Sequence, residues 1–264
     1  MSDMLVMGVI NVTPDSFSDG GRFLDHEAAV ARGHELIAEG ADVIDIGGES
    51  TRPGAEGVPV EEELRRVLPV VEALSPHVRV SIDTRKVAVA EAAIGAGATL
   101  LNDVSASLHP VAAAAGPGVG FVAMHMLGDP RTMQANPTYD DVVGEVCAFL
   151  VERADAAVAA GVEEVWIDPG IGFGKTSAHN LSLLKHLDVL VSTGFPVVIG
   201  TSRKRFLGAL LAEADRPQPP EPVPSDDRVE GSVASAVWAM VRGARMVRVH
   251  DVRATVHAAR VVAG

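Results

Sequence analysis

The sequence is poor in cysteine, in aromatic residues and in positive charge. Cys147 is the only cysteine in 264 residues, so no disulfide can form within the chain. Aromatic residues make up 4% of the chain and hydrophobic residues 47%, so we expect a core of Val, Ile, Leu and Ala. Lys and Arg number 22 against 35 Asp and Glu, and the formal net charge of −13 argues against a general nucleic-acid-binding protein. An anionic small molecule is still compatible, because a local group of basic residues can act despite a distant acidic surface.

Signals for membrane insertion, secretion and zinc binding are also missing. No apolar run approaches the ~20 residues that a membrane-spanning helix needs. Residues 1–8 lack the basic segment followed by an apolar one that a signal peptide would have. Cys and His are nowhere spaced as zinc ligands are. The sequence therefore predicts a soluble, cytoplasmic protein.

Short apolar runs alternate with segments of helical periodicity along the chain. Continuous apolar runs are typical of strands covered on both faces, and repeated strand–helix units predict a parallel sheet. Eight such units in 264 residues favour a single α/β domain over residues 1–264 with the (β/α)8 TIM-barrel fold. The alternative is an open doubly wound sheet, but its glycine fingerprint is missing after the first run, where Asn11-Val12-Thr13-Pro14 stands instead. The predicted strands are 5–10, 43–46, 78–82, 99–102, 121–124, 165–167, 197–199 and 246–249.

One segment departs from this alternation. Residues 213–227 are rich in Pro, Glu and Asp, and no helix tolerates such a density of proline. We interpret 213–227 as an exposed, mobile loop within the last βα unit.

Polar residues follow nearly every predicted strand. In a parallel barrel the carboxyl ends of the strands converge on one face, where active sites lie. A single Asp after a strand is usually the N-cap of the next helix, and Asp103 and Asp251 are open to that interpretation. Many polar ends together favour a functional site, since burying polar groups is unfavourable unless a ligand or each other satisfies them. These residues include Asn11, Asp45, Asp83, Asn102, His125, Asp168, Lys204, Arg248 and His250.

The glycine-rich segment 170–176, GIGFGKT, is not a Walker A motif. That motif needs a glycine five places before its second glycine, and Pro169 occupies the place. The glycines instead indicate a backbone that turns tightly, beside a flat ligand.

Several strings are specific enough to indicate a family. GVINVTPDSFSDGG at 8–21 and DIGGESTRPG at 45–54 resemble the two signatures of dihydropteroate synthases. The similarity extends from about Met7 to Ala259, and its texture is similar to that of actinobacterial members. The other strings, in the family's order, are SIDT at 81–84, NDV at 102–104, MHM at 124–126, DPGIGFGK at 168–175, SRKRFLG at 202–208 and RVHDV at 248–252.

The resemblance implies a reaction and a pterin site. The reaction condenses 6-hydroxymethyl-7,8-dihydropterin diphosphate with p-aminobenzoate to give 7,8-dihydropteroate and diphosphate in folate biosynthesis. It implies that Asp168 accepts paired hydrogen bonds from the pterin edge, a geometry that suits a carboxylate. The other implied pterin contacts are Asp83, Asn102, Met126, Lys204 and Arg248.

The resemblance also implies how the diphosphate is bound and released. Asn11 resembles the family's Mg2+ ligand, and Mg2+ commonly binds few protein groups together with substrate phosphates. Arg248, His250 and Arg52 would bind the diphosphate. Diphosphate would leave first, and Asp83 would stabilise the resulting cation before the arylamine attacks. The predicted catalytic residues are Asp83, Lys204 and Asn11.

Two loops, 12–22 and 50–57, have the composition of lids that would exclude water from that cation. In the family such loops help to form the p-aminobenzoate pocket, which implies inhibition by sulfonamides. Alternative interpretations are a loop anchor for Phe17 and a core residue for Phe173. The family is typically homodimeric. The implied p-aminobenzoate contacts are Thr51, Arg52, Pro53, Phe17, Phe173 and Lys204.

The sequence departs from the family pattern at two positions beside the motifs. Arg205 replaces a common Ser and either holds the p-aminobenzoate carboxylate or points away, and Leu127 replaces a common Gln. The rival enzyme is a corrinoid-linked methyltetrahydrofolate methyltransferase, which would not need the 13–17 lid or Lys204. A rival of another class is a catalytically silent paralogue, which would be expected to lose residues such as Asn11 or His250.

Overall fold

A computed structural model of the chain describes residues 4–13, 22–50, 54–55, 57–215 and 221–264. Its described residues form eight strands, all parallel. The strands are β1 (Leu5–Asn11), β2 (Val43–Gly47), β3 (Arg79–Asp83), β4 (Leu100–Asp103), β5 (Gly120–Met124), β6 (Val165–Asp168), β7 (Val198–Ile199) and β8 (Met246–Val249).

Helices separate the strands and form the outer layer. They are α1 (Arg22–Ala38), α2 (Val60–Leu74), α3 (Val87–Gly95), α4 (His109–Ala115), α5 (Val142–Ala159), α6 (Ser177–Lys185), α7 (Leu187–Val191), α8 (Arg205–Asp215), α9 (Val229–Val241) and α10 (Val252–Ala263). A short 3-10 helix, Ser225–Asp227, precedes α9.

The sheet closes into a barrel. Each strand pairs with its neighbour in the order β6-β5-β4-β3-β2-β1-β8-β7. A parallel bridge between Ile167 and Val197 joins the two ends of this order, and the Ile167 amide donates to the Pro196 carbonyl at 3.0 Å. The predicted (β/α)8 barrel is therefore confirmed, and the open doubly wound sheet is excluded.

Helix α2 shows how the outer layer forms. Val67, Val70, Val71 and Leu74 recur at intervals of one to four residues, and all four side chains are buried. Glu61, Glu62 and Glu63 occupy the first turn, where negative charge interacts favourably with the helix dipole. The sequence therefore fixes both where α2 begins and which face it turns to the sheet.

The barrel interior is divided into an apolar layer and a polar layer. Val43, Leu100, Trp166 and Met246 belong to one buried apolar cluster that crosses the inside of the barrel. Side chains alternate between the two faces of a strand, so the next inward residue lies two positions further along. On these four strands that residue is polar or charged: Asp45, Asn102, Asp168 and Arg248. The apolar layer is thus the floor of a polar cup at the carboxyl ends of the strands.

An ion pair lies at the opposite, amino-terminal end of the barrel. The guanidinium of Arg79 donates to both carboxylate oxygens of Glu164, at 2.8 and 2.6 Å. The indole of Trp166 donates to the same carboxylate at 2.6 Å. These contacts hold the pKa of Glu164 below its usual range against the opposing effect of burial, so Glu164 stays ionised.

The proline-rich segment 213–227 differs from its prediction in its position and at its start. The proline-rich segment 213–227 precedes β8, so it belongs to the seventh βα unit and not to the last one. Its first three residues end helix α8 at Asp215, because the first proline comes only at Pro217. Residues 216–220 lie outside the described part of the chain.

Candidate functional site

Four side chains from four strands meet in the polar cup. Arg248 on β8 donates from Nε to Asp45 Oδ2 at 2.6 Å and from Nη2 to Asp83 Oδ2 at 2.9 Å. Asn102 on β4 donates from Nδ2 to the same oxygen of Asp45 at 3.2 Å. Because period-two alternation turns these residues inward, residues up to 203 positions apart form one hydrogen-bonded cluster.

Burial makes ionisation of the carboxyl groups of Asp83 and Asp168 unfavourable. Burial raises the pKa of Asp83 from 3.8 to about 7, although Arg248 acts against this shift and Asp45 adds to it. Burial also raises the pKa of Asp168, against the opposing effect of the Gly170 amide. Burial alone would lower the pKa of Arg248, but Asp45 and Asp83 hold it above its ordinary value. Arg248 therefore stays charged, while burial disfavours the ionised forms of Asp83 and Asp168.

Asp45 sets the orientation of its two partners. Because a carboxylate only accepts, the amide group of Asn102 must face Asp45, which turns the carbonyl oxygen of Asn102 away from it. Asp45 is fully buried, and its Oδ1 has no hydrogen-bond partner among the described residues. The same holds for Oγ of Ser81, its register neighbour on β3. From the sequence, Asp45 is a polar strand end without a predicted role.

The loop after β6 is shaped by glycine. Gly170 has φ +61° and accommodates the carbonyl of His125, which a Cβ at that position would meet at 1.9 Å. The Gly170 amide donates to Asp168 Oδ1 at 2.7 Å. Gly174 also has positive φ, and a Cβ there would meet the Leu127 backbone at 2.7 Å. The predicted tight turning of this segment is therefore what the structure shows.

Lys204 and Phe173 lie together above this loop. The Lys204 Nζ lies 4.0 Å from the centre of the Phe173 ring, a cation–π contact. The aliphatic part of Lys204 passes Gly172, where a Cβ would lie 3.3 Å from Cδ. Phe173 is half-buried, so the core interpretation of this side chain is not supported. Asp168 and Asp83 both interact electrostatically with Lys204, which places it beside the same cup.

His250 follows β8 and is held there by Ser202. Its Nδ1 lies 3.0 Å from the hydroxyl of Ser202, which also accepts from the His250 backbone amide at 3.1 Å. Burial, reinforced by Arg248 and Arg203, lowers the pKa of His250 to about 3. His250 can therefore bind an anion by hydrogen bonding but contributes no positive charge near neutral pH.

Asn11 and Met126 lie at strand ends. Asn11 is the last residue of β1 and is half-buried, opposite Gly47 of β2. Met126 is half-buried two residues after β5. No group of three or more His, Cys, Asp or Glu residues that could hold a metal occurs in the described part of the chain. A Mg2+ site here would therefore need a single amide ligand such as Asn11, completed by substrate phosphate and water.

The predicted p-aminobenzoate contacts are only partly described. Phe17, Thr51, Arg52 and Pro53 lie outside the described residues, as does most of the predicted lid at 12–22. Arg205, the departure from the family pattern, is exposed at the first residue of α8.

A charge network joins Glu49, Val58, Lys86 and Glu63. Glu49 accepts from the Val58 amide at 2.7 Å and from Lys86 Nζ at 2.6 Å. Lys86 also binds the buried Glu63, whose other oxygen accepts from Thr84 at 2.7 Å. The sequence analysis assigned no role to Lys86 or Glu63, because their partners are distant in sequence.

The capping interpretation of Asp103 and Asp251 has two different outcomes. Asp103 is buried and accepts from the amides of Ser105, Ser107 and Leu108 at 2.8, 2.6 and 2.7 Å, so it organises the turn before α4. Asp251 stands before α10 but makes no capping hydrogen bond; it binds Arg203 at 2.6 and 3.1 Å instead.

Comparisons with known proteins agree with this geometry. The family model described as pterin binding enzyme matches residues 7–250. The chain belongs to the dihydropteroate synthase family. It is 47% identical to the dihydropteroate synthase of Mycobacterium leprae over 272 residues, which cover 99% of this chain and 93% of that protein. The predicted family is confirmed, and so is the prediction that the chain is a dihydropteroate synthase and a transferase.

Solved structures of the family have the same barrel. The dihydropteroate synthase of Xanthomonas albilineans, solved with 4-aminobenzoic acid, is 51% identical with a TM-score of 0.87, over 98% of this chain and 92% of that chain. The Yersinia pestis dihydropteroate synthase, solved with a sulfonamide drug complex, is 44% identical with a TM-score of 0.89, over 99% and 94%. Within the described residues, no helix has the length and apolar character needed to cross a membrane.

Proposed function

We propose that this chain condenses 6-hydroxymethyl-7,8-dihydropterin diphosphate with p-aminobenzoate through the side chains of the polar cup. The observation that carries the assignment of residues is the cluster of Asp45, Asp83, Asn102 and Arg248, hydrogen-bonded across four strands beside Asp168. Such a cluster offers carboxylate and amide acceptors in one concave site, which suits the donor-rich edge of a pterin.

The pterin binds between Asp168 and Asn102. Asp168 accepts two parallel hydrogen bonds from the ring N–H and the exocyclic amine, with its position held by the Gly170 amide. Asn102 accepts through its carbonyl oxygen, because Asp45 occupies its amide group. Lys204 donates to the pterin carbonyl or to a ring nitrogen.

The diphosphate binds on the Asn11 and His250 side of the cup. Mg2+ bound to the Asn11 side-chain oxygen would neutralise charge on the departing diphosphate. His250 donates a hydrogen bond as a neutral imidazole, in accordance with its lowered pKa. Arg248 is already held by Asp45 and Asp83, so its charge is shared between them and the substrate. Arg52 is predicted to contribute a further positive charge to diphosphate binding.

Departure of the diphosphate leaves positive charge on the exocyclic carbon, conjugated with the pterin. Asp83 stabilises this charge, because a buried carboxylate whose ionisation is unfavourable, as the raised pKa of Asp83 indicates, gains from a nearby positive charge. The amine of p-aminobenzoate then attacks the carbon and loses its proton to water. Phe173 and Lys204, together with Phe17, Thr51, Arg52 and Pro53, form the p-aminobenzoate pocket, which sulfonamides would occupy.

We also propose a cytoplasmic homodimer. Exposed Leu210, Trp238 and Val241 lie on α8 and α9, two helices that pack together, and they offer apolar surface for a second copy. Sedimentation equilibrium tests this part of the proposal, and a monomer at micromolar concentration would contradict it.

The test of the activity is a coupled assay of diphosphate release. We expect release that requires both p-aminobenzoate and Mg2+, with formation of 7,8-dihydropteroate detected by mass spectrometry. A sulfonamide should inhibit competitively against p-aminobenzoate. Release that is independent of p-aminobenzoate, without dihydropteroate, would contradict the proposed function.

A further inference from the structure

A buried ammonium group lies beneath the β6 loop, outside the set of residues assigned to the reaction. The side chain of Lys175 is 3% exposed. Its Nζ lies 2.8 Å from His125 Nδ1, 3.1 Å from the Gly170 and Phe173 carbonyls and 3.3 Å from the His125 carbonyl. The His125 Nδ1 must be an acceptor, because an ammonium group only donates.

Three carbonyl oxygens and one imidazole nitrogen converge on a single point, and the Nζ of Lys175 supplies the donor there. Carbonyl dipoles that face each other repel, and buried acceptors without a donor are costly, by about 1–3 kcal/mol each. None of the four contacts is a carboxylate, so the carbonyls and the imidazole, not an ion pair, solvate the charge of Lys175. Burial lowers the pKa of Lys175 to about 7, with Asp168 acting to raise it and Lys204 to lower it.

Each contact of Lys175 leads to a residue of the reaction site. The amide of Gly170 donates to Asp168, the proposed pterin acceptor. The ring of Phe173 contacts Lys204 at 4.0 Å. His125 continues β5, whose Met124 is the register neighbour of Asp168. Lys175 therefore links the end of β5 to Gly170 and to Phe173 in the loop after β6.

We propose that Lys175 is a positioning residue, whose ammonium group holds the Gly170 and Phe173 carbonyls so that Asp168 and Phe173 keep their places in the substrate site. The proposal rests on the proposed function only for the identity of the ligands. The conformation of the loop is independent of it. Of the three experiments below, the variant crystal structure therefore separates failure of this proposal from failure of the proposed function.

The first experiment compares Lys175→Met with Lys185→Met, an exposed lysine in the last turn of α6. The readouts are the affinity for the pterin diphosphate by calorimetry, and kcat and KM for p-aminobenzoate in the diphosphate-release assay. We expect Lys175→Met to weaken pterin affinity and to raise KM, each about tenfold or more, or about 1.4 kcal/mol. Lys185→Met should match the wild type. Folded Lys175→Met with wild-type affinity and KM would overturn the proposal.

The second experiment uses Lys175→Ala and added ammonium chloride, with choline chloride at equal ionic strength as the control. Ammonium fits among the carbonyls and should restore thermal stability and pterin affinity together, whereas choline is too large to do so. If neither salt restores the stability and pterin affinity of Lys175→Ala, or if both salts restore them equally, the proposal is overturned. This test still applies if Lys175→Met does not fold.

A crystal structure of the Lys175 variant adds a readout that needs no activity. We expect residues 170–173 to be displaced from the end of β5. If the wild type lacks p-aminobenzoate-dependent release but the variant shows this displacement, the proposed function fails and the positioning role stands. An undisplaced loop overturns the positioning role alone.

Discussion

Asp83→Asn should remove a pH-dependent loss of stability from the empty protein. The pKa of Asp83 is raised to about 7 in the fold, from an ordinary value of 3.8. The folded state therefore binds a proton that the unfolded state has released at the pH values between these two limits. A carboxyl with a raised pKa contributes stability that is lost as the pH rises through its folded pKa.

The size of this effect follows from the shift. Stability changes by about 1.36 kcal/mol per pH unit while the folded state holds one extra proton. From about pH 5.5 to its pKa of about 7, a span of about 1.5 pH units, Asp83 keeps its proton in the folded state and has lost it in the unfolded state. Between about pH 5.5 and about pH 8 the unfolding free energy of the wild type should therefore fall by about 2 kcal/mol through Asp83. Asparagine cannot titrate, so the variant should lack this loss. Its weaker bond to Arg248 adds an offset that is the same at both pH values.

The assay is urea unfolding followed by circular dichroism at both pH values, with reversibility checked. The quantity compared is the difference in unfolding free energy between variant and wild type, in which the titration of Asp168 largely cancels. Asp155→Asn, at an exposed position on α5, is the matched control. If the difference in unfolding free energy between Asp83→Asn and the wild type is the same at both pH values, the raised pKa assigned to Asp83 is refuted.

Three other substitutions test the cup. Asp168→Ala should lower pterin affinity by about a hundredfold or more, since it removes two charge-assisted hydrogen bonds worth about 3 kcal/mol together; unchanged affinity by calorimetry would exclude the role. Asn11→Ala should raise the Mg2+ concentration for half-maximal turnover, and a wild-type magnesium titration would exclude Asn11 as a ligand. Asp45→Asn should destabilise the protein by about 2–4 kcal/mol, because Arg248 loses a buried partner, and should weaken pterin binding. If Asp45→Asn unfolds at the same urea concentration as the wild type, Asp83 alone is enough to stabilise the buried charge of Arg248.

The barrel could be predicted from the sequence because each strand is a continuous apolar run. Both faces of such a strand are covered, so the run itself marks the element, and predicted and observed strands differ by at most one residue at either end. Strand β7 is the shortest, Val198–Ile199, since Val197 forms only an isolated bridge to β6. Helix α8 extends into the segment that was predicted as a loop, because proline ends a helix only where it stands.

The cup residues could be identified by motif, but their pairing could not. The hydrogen bond between Arg248 and Asp45 joins positions 203 residues apart, and no local pattern reports such a contact. From the sequence, Arg248 is a predicted contact of the pterin and of the diphosphate, and its hydrogen bonds to two carboxylates emerge only from the fold. Lys175 was visible only as the last residue of a glycine string, since its role depends on carbonyl directions that composition does not encode.

The charge balance of the cup bears on catalysis as well as on stability. A buried carboxyl with a raised pKa is one whose ionised form is less stable in the fold than in water, and burial puts both Asp83 and Asp168 in this state. Under the proposed function, the substrate pterin is neutral, whereas the species left after diphosphate departure carries positive charge. A unit charge about 4 Å from a carboxylate gains about 4 kcal/mol at an effective dielectric constant of about 20, which corresponds to roughly a thousandfold in rate. The cup therefore favours the cationic species over the bound substrate. The loss of stability with rising pH that the Asp83→Asn experiment tests has the same electrostatic origin.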